Sequence, residues 1–256
     1  MGGGHGLMNF DAFAGGGLKW WYNFSEISGL GSVVTKHDTT YCATALNKAK
    51  ASTGDSGDFQ DAAGGGVTST SPNFVDGQLK TGRSNLDFIG DENHLDISDA
   101  GGIDMAAFTI YMVIEVINED ANIVNIFCGN QALEDYIYYN ANVNRWTYKI
   151  NNGTQVLTDA LAITDGTNYI MSVGFQNGTA IKVRLANAGG NVGSQVTSTS
   201  DVSADFNMKA LGSIVGEGSY TADLHVGEVL IYDSYHTDSQ AKEIVKELKK
   251  EWGLAY

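Results

Sequence analysis

The fold is decided by Leu224-His225-Val226-Gly227-Glu228-Val229-Leu230-Ile231-Tyr232 and by the stretch that follows it as far as Leu254. The quoted residues are rich in aliphatic, β-branched and aromatic side chains, which predicts a buried strand. Thr237 and Gln240 then have the spacing of a capping box, in which each side chain satisfies a backbone N–H at the start of a helix. Gly253 is the expected left-handed residue that ends this helix.

The predicted helix is amphipathic. Its apolar residues recur at helical spacing and form one stripe, which consists of Ala241, Ile244, Val245, Leu248 and Trp252. Its charged residues are expected to face water: Lys242, Glu243, Lys246, Glu247, Lys249 and Lys250. Because a helix of this length is marginal on its own, it is expected to pack on a sheet that contains the preceding strand.

These stretches resemble the end of concanavalin A-like (laminin-G-like) jelly-roll domains, through Glu228–Asp233, the Thr-Asp-Ser helix start at Thr237, and Trp252-Gly253-Leu254. Two upstream stretches agree in order, since Leu18–Asn23 resembles the opening strand of that family and Leu86–Ile97 its strand–turn–strand unit. The resemblance implies an all-β fold, a two-sheet antiparallel jelly-roll sandwich with one C-terminal surface helix.

Other strand signals agree with such a sandwich. Phe108–Ile117 is almost continuously apolar, which predicts a strand covered on both faces. Hairpins are predicted at Asn152-Gly153 and Asn177-Gly178, because both central residues of such turns require positive φ. A third hairpin is predicted within Leu86–Ile97, across Gly90-Asp91. The Gly-, Ser- and Thr-rich stretch Ala62–Asn85 predicts a long surface loop.

Composition narrows the classes of partner and compartment. The chain has 15 basic and 30 acidic residues and a net charge of −15, which argues against electrostatic binding to nucleic acid or to an anionic membrane. The two cysteines, Cys42 and Cys128, exclude a disulfide framework and leave open either one bridge or two free thiols. The N-terminus lacks the pattern of a signal peptide, and no window has the length of a membrane span.

Residues 1–17 are interpreted as a glycine-rich arm in front of a single domain over residues 18–256. Four apolar residues of the arm have no local strand or helix to pack in: Leu7, Met8, Phe10 and Phe13. The arm is expected to dock on a partner subunit and to become ordered there. A tail without contacts is the alternative.

Catalytic signals along the sequence are weak. A glycosidase needs two carboxyl groups on either side of the scissile bond. The nearest pattern is Glu115-Val116-Ile117-Asn118-Glu119, in which Ile117 stands where jelly-roll glucanases have a central carboxylate. Glycosidase activity is therefore not expected. No Gly-x-Ser-x-Gly motif occurs, and no histidine has a cysteine or carboxylate in a recognisable arrangement nearby: His5, His37, His94, His225 and His236.

Two binding sites are hypothesised. Calcium prefers oxygen ligands on loops, and two acidic clusters are hypothesised to bind it. One cluster consists of Asp55, Asp58 and Asp61, and the other of Asp91, Glu92 and Asp96. A solvated acidic surface is the alternative, and no other cofactor is expected. A glycan could stack on aromatic rings with polar neighbours, at Tyr136, Tyr138, Asn140 and Asn142. Core packing of these tyrosines is the alternative.

The family resemblance, the arm and the acidic, Asn- and Gly-rich body together look like a non-enzymatic module of a phage particle, of the capsid-decoration or tail-fibre type. On this hypothesis the chain is a homo-oligomeric virion protein that is assembled in the host cytoplasm. Its arm contacts other virion subunits, and host surface glycans are a further ligand. A free carbohydrate-binding lectin module is the alternative, and a glycan hydrolase ranks last.

Overall fold

The computed structural model of the chain describes residues 17–24, 34–36, 42–45, 59–61, 73–80, 83–88, 94–97, 103–117, 123–124, 135–140, 145–149, 156–160, 163–178, 181–187, 194–197, 204–212, 220–221 and 224–254. Its strands in chain order are β1 (Leu18–Asn23), β2 (Val34–Lys36), β3 (Cys42–Ala45), β4 (Phe59–Asp61), β5 (Asn73–Asp76), β6 (Ser84–Phe88), β7 (His94–Ile97), β8 (Ile103–Met105), β9 (Ala107–Val116), β10 (Ile123–Val124), β11 (Tyr136–Asn140), β12 (Arg145–Lys149), β13 (Val156–Ala160), β14 (Thr167–Gln176), β15 (Lys182–Asn187), β16 (Ser194–Thr197), β17 (Phe206–Met208), β18 (Ala210–Gly212), β19 (Tyr220–Thr221) and β20 (Leu224–Tyr232). A helix, α1 (Asp238–Trp252), follows β20.

The strands form one large sheet and three smaller ones. The large sheet has eight strands in the order β16-β15-β14-β9-β20-β6-β5, with β1 also paired to β20. Two five-stranded sheets have the orders β13-β12-β11-β10-β19 and β18-β7-β4-β3-β2, and β17 pairs with β8. Described neighbours pair antiparallel, except that β10 runs parallel to β19. The predicted all-β antiparallel sandwich is confirmed.

The long strand β9 shows how the large sheet is covered on both faces. Phe108, Ile110 and Met112 lie in the core between the sheets. Tyr111 and Val113, which point the other way, pack with α1 in a second apolar cluster. The continuous apolar run of this strand therefore reflects burial on two sides, as predicted. We call the face toward the smaller sheets the inner face and the face toward α1 the outer face.

Strand β20 occupies the centre of the large sheet. Its partner on one side is β9, whereas β6 pairs with its first half and β1 with its second half on the other side. The register shifts at a bulge between Val226 and Glu228. A Cβ on Gly227 would lie 2.4 Å from Cη2 of Trp252, so that only glycine lets the indole lie directly on the strand.

Helix α1 has both predicted ends. The Thr237 side chain accepts from the backbone N–H of Gln240, the Gln240 side chain accepts from the backbone N–H of Thr237, and Gly253 has φ 68°. The predicted apolar stripe is buried against the outer face. Lys249 departs from the expectation of exposure, because it is only 3% exposed, and burial lowers its pKa.

Two strand predictions were wrong. The predicted hairpin across Gly90-Asp91 does not form, since β6 pairs with β20 and β5 while β7 pairs with β4 and β18 in another sheet. The predicted surface loop Ala62–Asn85 contains a strand, because Asn73–Asp76 adds β5 to the edge of the large sheet. In both cases the local turn signal was present, but the strand partners were set by distant parts of the chain.

Other local predictions were confirmed. Antiparallel pairs join β14 to β15 around Asn177-Gly178, where Gly178 has φ 75°, and β12 to β13 around Asn152-Gly153, which lies outside the described residues. Within the described segments, no helix combines the length and the hydropathy needed to cross a bilayer.

Candidate functional site

A row of ionisable side chains crosses the outer face of the large sheet, beyond the part that α1 covers. Backbone register places Asp87 of β6 opposite His225 of β20, and His225 opposite Glu115 of β9. Each of these residues lies between two inward-facing core residues, so all three side chains point outward. We call Asp87, His225 and Glu115 the carboxylate–histidine row.

The imidazole of His225 lies between the two carboxyl groups. Its Nδ1 is 2.8 Å from Oε2 of Glu115, and its Nε2 is 3.5 Å from Oδ1 of Asp87. The side chains are 10% exposed for His225, 9% for Asp87 and 18% for Glu115. The row is therefore largely shielded, and water reaches it most readily at Glu115.

Further polar groups lie along the chain between the row and the end of α1. Register extends the row to Asn168 on β14, whose Nδ2 donates to the carbonyl oxygen of Leu79 (3.4 Å). Lys80 donates to the carbonyl oxygen of Glu251 at the end of α1, and Arg83 Nη1 lies 3.3 Å from the Glu251 carboxylate. Burial, and then the charge of Arg83, lower the pKa of Lys80. Two cationic side chains thus contact the C-terminal end of α1.

Chemically, the row joins two carboxyl groups through an imidazole ring, each nitrogen of which can take part in a hydrogen bond. Carboxyl groups of this kind serve as general acids and bases.

The region under the last turn of α1 is held by a buried carboxylate. Glu228 is fully buried, and it accepts from the indole N–H of Trp21 at 2.6 Å and from that of Trp252 at 2.7 Å. Asn23 Nδ2 lies 3.5 Å from the same carboxylate. The two indole N–H groups provide a hydrogen bond to each oxygen of this buried carboxyl group, so this contact joins β1, β20 and α1.

The region under the first turn of α1 contains the second histidine of the outer face. His236 Nδ1 lies 2.8 Å from the Tyr111 hydroxyl, and the backbone N–H of His236 donates to Thr109 Oγ1 at 2.8 Å. Burial, reinforced by the charge of Arg184, lowers the pKa of His236 to about 4. Burial also raises the pKa of the Tyr111 hydroxyl. Both groups are therefore neutral near pH 7 and act as structural hydrogen-bonding groups.

The N-terminal turn of α1 is tied to β15 by charge. Asp238 Oδ1 lies 3.0 Å from Lys182 Nζ and is contacted closely by Arg184 Nη2. Hydrogen bonds from Lys182 and then Arg184 lower the pKa of Asp238. An acidic residue in the first turn also stabilises the helix, because it interacts favourably with the positive end of the helix dipole.

The predicted glycan site lies on the outward face of β11 and β12. Tyr136 is half-buried, and its ring centroid is 5.7 Å from that of Tyr138. Tyr138, however, is only 1% exposed, and Asn140 is half-buried. Asn142 lies outside the described residues. Trp146 and Tyr148, which point to the opposite face, lie in the core between the sheets.

The predicted calcium ligands are described only in part. Asp61 lies on β4 and Asp96 on β7, and these strands pair with each other. The other four, Asp55, Asp58, Asp91 and Glu92, lie outside the described residues, as do the arm residues Leu7, Met8, Phe10 and Phe13. Among the side chains that the structure describes, no group of three or more His, Cys, Asp or Glu has an arrangement suited to a metal ion.

The statement that no histidine has a carboxylate nearby was wrong for His225. Its partner Glu115 is 110 positions away in the sequence, and the two meet only because β9 and β20 are neighbours. Glu115 was the first residue of the rejected glycosidase pattern. Another carboxyl group, that of Asp87, lies on the far side of β20 from Glu115, whereas Glu119 lies outside the described residues. A polar residue in the middle of each apolar strand was the available signal.

The sequence matches no protein-family model and no curated protein. Among solved structures, the chain is similar to a GH54 α-L-arabinofuranosidase soaked with a cyclic sulfate inhibitor, with a TM-score of 0.61, 13% identity, and 94% of this chain and 65% of that chain covered. It is also similar to an arabinofuranosidase complexed with arabinofuranosyl-α-1,2-xylobiose, with a TM-score of 0.61 and 13% identity. That match covers 94% of this chain and 64% of the arabinofuranosidase. A Trypanosoma rangeli sialidase in complex with the inhibitor DANA matches with a TM-score of 0.42 and 12% identity. That match covers 68% of this chain and 29% of the sialidase.

The chain therefore spans just under two thirds of the arabinofuranosidases and less than a third of that sialidase. At this identity the likeness to the arabinofuranosidases shows a shared fold. The prediction of a non-enzymatic module of a phage particle was wrong on this comparison, because the two structures with a TM-score of 0.61 are arabinofuranosidases. None of them links the chain to a virion, capsid or tail fibre. The comparisons thus show that the chain shares its fold with the two arabinofuranosidases.

Proposed function

We propose that the protein is a glycoside hydrolase that acts through Asp87 and Glu115. The observation that carries this proposal is the carboxylate–histidine row, in which two carboxyl groups on β6 and β9 flank His225 on the intervening strand. The shared fold with arabinofuranosidases supports the reaction class. We propose further that the sandwich is of the concanavalin A-like type.

The spacing of the pair favours hydrolysis with inversion. Retaining glycosidases place their two carboxyl groups about 5–5.5 Å apart, whereas inverting ones leave about 6.5–9.5 Å for a water molecule. Asp87 and Glu115 lie two strand spacings apart, or about 9.5 Å at their Cα atoms. Because each carboxyl group contacts the opposite nitrogen of one imidazole ring, the two stay well separated at their oxygens.

A second surface favours contact with sugars at a distance from the row. The partly exposed ring of Tyr136, with Lys149 Nζ 5.9 Å from its centroid and Asn140 four positions along β11, combines an aromatic face with polar neighbours. Such a combination suits the apolar face and the hydroxyl edge of a sugar ring. We propose that this surface contacts parts of a glycan that extend beyond the cleaved bond.

The proposal is tested by measuring release of 4-nitrophenol from a panel of 4-nitrophenyl glycosides, beginning with the α-L-arabinofuranoside. The wild-type chain is expected to turn over at least one substrate. Glu115→Gln and Asp87→Asn are each expected to lower the rate by about 10²–10⁴-fold, the usual contribution of one general acid or base. Glu243→Gln is the matched control, because this carboxylate is 53% exposed on α1 and lies 3.9 Å from Lys246 Nζ.

Absence of turnover across the panel would overturn the proposed function, and a wild-type rate in Glu115→Gln would remove the row from the reaction. Circular dichroism and thermal melting of each variant separate lost chemistry from lost folding. Proton NMR of the first sugar anomer released distinguishes inversion from retention. Retention would show that Asp87 and Glu115 are not the reacting pair.

A further inference from the structure

We infer that Asn168 is a specificity-determining residue, whose side-chain oxygen accepts a hydrogen bond from a sugar hydroxyl next to the cleaved bond. This inference rests on the proposed function and names the substrate group that its site recognises. The substrate class is a glycoside with a free hydroxyl on the carbon beside the anomeric carbon.

The first observation is the position of Asn168 beside the carboxylate–histidine row. Antiparallel register pairs Asn168 on β14 with Glu115 on β9. The next residue, Tyr169, points into the core between the sheets, so the Asn168 side chain points to the outer face, as that of Glu115 does. Neighbouring strands lie about 4.8 Å apart. A sugar whose bond is cleaved beside Glu115 is therefore within reach of Asn168.

The second observation fixes the orientation of the Asn168 carboxamide. Its Nδ2 donates to the carbonyl oxygen of Leu79 at 3.4 Å. A carbonyl oxygen only accepts hydrogen bonds, so the NH₂ group faces Leu79 and Oδ1 faces away from it. Leu79 is itself held, because its side chain is buried in the apolar cluster with α1 and the next residue, Lys80, donates to the Glu251 carbonyl oxygen. The carboxamide is thus oriented before a ligand arrives.

The third observation is an acceptor that needs a donor. Asn168 Oδ1 is shielded from solvent, and it accepts no hydrogen bond from the part of the chain that the structure describes. A buried acceptor left in this way is costly, and such groups normally find a donor. A sugar hydroxyl is a donor of the required kind. Its approach is from the side of Glu115, which is 18% exposed, and Asn168 as a whole is half-buried.

A shielded acceptor discriminates between substrates. A site built to bond a hydroxyl rejects the analogue that lacks it, because the analogue leaves the polar group of the site unpaired. In glycoside hydrolysis, hydrogen bonds to the hydroxyl beside the anomeric carbon strengthen in the transition state. Asn168 lies one strand away from Glu115, so this is the hydroxyl that it is placed to contact. A carboxamide does not titrate, so this role is independent of the protonation of the row.

The test compares two substrates, namely the 4-nitrophenyl glycoside that the wild-type chain hydrolyses fastest and its 2-deoxy counterpart. The quantity measured is the ratio of kcat/KM for the hydroxylated substrate to kcat/KM for the deoxy substrate. The intrinsic reactivities of the two substrates differ, but this difference cancels when the ratio is compared between enzymes. In Asn168→Leu and in Asn168→Ala the ratio is expected to fall about tenfold to a hundredfold below that of the wild type.

Asn177→Ala is the matched control. Asn177 directly follows β14 at its other end, where it is exposed and its Nδ2 donates to Asp205 Oδ1 at 2.8 Å. This variant is expected to keep the wild-type ratio. Partial unfolding does not imitate the expected result, because both substrates are measured on the same sample and the folded fraction cancels.

The outcomes separate this inference from the proposed function. No turnover by the wild-type chain overturns both. Turnover with an unchanged ratio in the two Asn168 variants leaves the proposed hydrolase unaffected and overturns the role of Asn168. A fall of the same size in Asn177→Ala would also overturn it, because the loss of selectivity would then not depend on the position beside Glu115.

Discussion

The outer face of the large sheet has two halves, and each contains a histidine in a different environment. His236 lies under the first turn of α1, beside the Tyr111 hydroxyl, and its pKa of about 4 keeps it neutral. His225 lies about 20 Å farther along β9, between two carboxyl groups and near solvent. Full coverage by a helix makes the first histidine a structural group. Two carboxyl partners and partial exposure distinguish the second one.

The comparison predicts that changes in the half covered by α1 lower stability without altering turnover per folded molecule. The largest effect is expected for Trp252→Ala, because it removes a buried ring from α1 and one of the two indole donors to Glu228. The free energy of unfolding should fall by about 3–5 kcal/mol in chemical denaturation. Trp252→Phe keeps an aromatic ring but loses the N–H, so a smaller loss of about 1.5–3 kcal/mol is expected. Unchanged stability in the alanine variant would mean that α1 is not part of the core.

Acid should lower the free energy of unfolding through His236. The pKa of His236 is lowered from 6.5 to about 4, so the unfolded chain takes up a proton at higher pH than the folded chain does. The stability that this group contributes is complete above pH 6.5, and it is lost as the pH falls from 6.5 to 4. The loss amounts to about 3 kcal/mol, from the 1.36 kcal/mol that each pKa unit represents.

The measurement is the free energy of unfolding at several pH values for the wild-type chain and for His236→Gln. The variant should show a flatter dependence on pH between 6.5 and 4, even though it is less stable at pH 7. Parallel curves for the two proteins would contradict the assignment of this titration to His236.

A third change concerns the boundary between the two halves, at the bulge in β20. Gly227→Ala is expected to cost about 1–3 kcal/mol, because the added methyl group would lie 2.4 Å from the Trp252 ring. Gly174→Ala is the matched control, since its methyl group would meet the half-buried Tyr235 ring at 3.1 Å, and that ring is able to move. Equal melting temperatures for the two variants would show that the indole shifts without cost.

The smallest effect is expected at the start of α1. Thr237→Ala removes the capping oxygen that accepts from Gln240 and should cost about 1 kcal/mol. Ser239→Ala changes an exposed residue in the same turn, so its melting temperature should stay close to that of the wild type. A loss in Ser239→Ala as large as that in Thr237→Ala would mean that the cap is not the source of the effect.

The sequence predicted the features that depend on near neighbours. The cap at Thr237, the end at Gly253 and the apolar stripe between them are all encoded within one helix, and all were confirmed. The partner of β6 was not predictable in this way, because a turn signal shows that the chain reverses but not which sheet the next strand joins.

The candidate site could not be predicted from the sequence for the same reason. Glu228 meets Trp21 across 207 positions, and His225 meets Glu115 across 110. Strand pairing and register fix such contacts, and neither was determined by local propensity. What the sequence did show was a charged or polar residue within an apolar strand, as at Glu228 and Asp87. Such a residue is a signal that an unseen partner exists.

The central position of β20 has a consequence for how the chain is made. Ribosomes release β1, β6 and β9 long before β20, yet all three pair with it in the finished sheet. Until residues 224–232 leave the exit tunnel, these strands have unpaired edges and exposed apolar faces, which favour aggregation. We therefore expect nascent chains of this protein to need protection of these edges until residues 224–232 have emerged, and translation that stops before residue 224 leaves a product without its central strand.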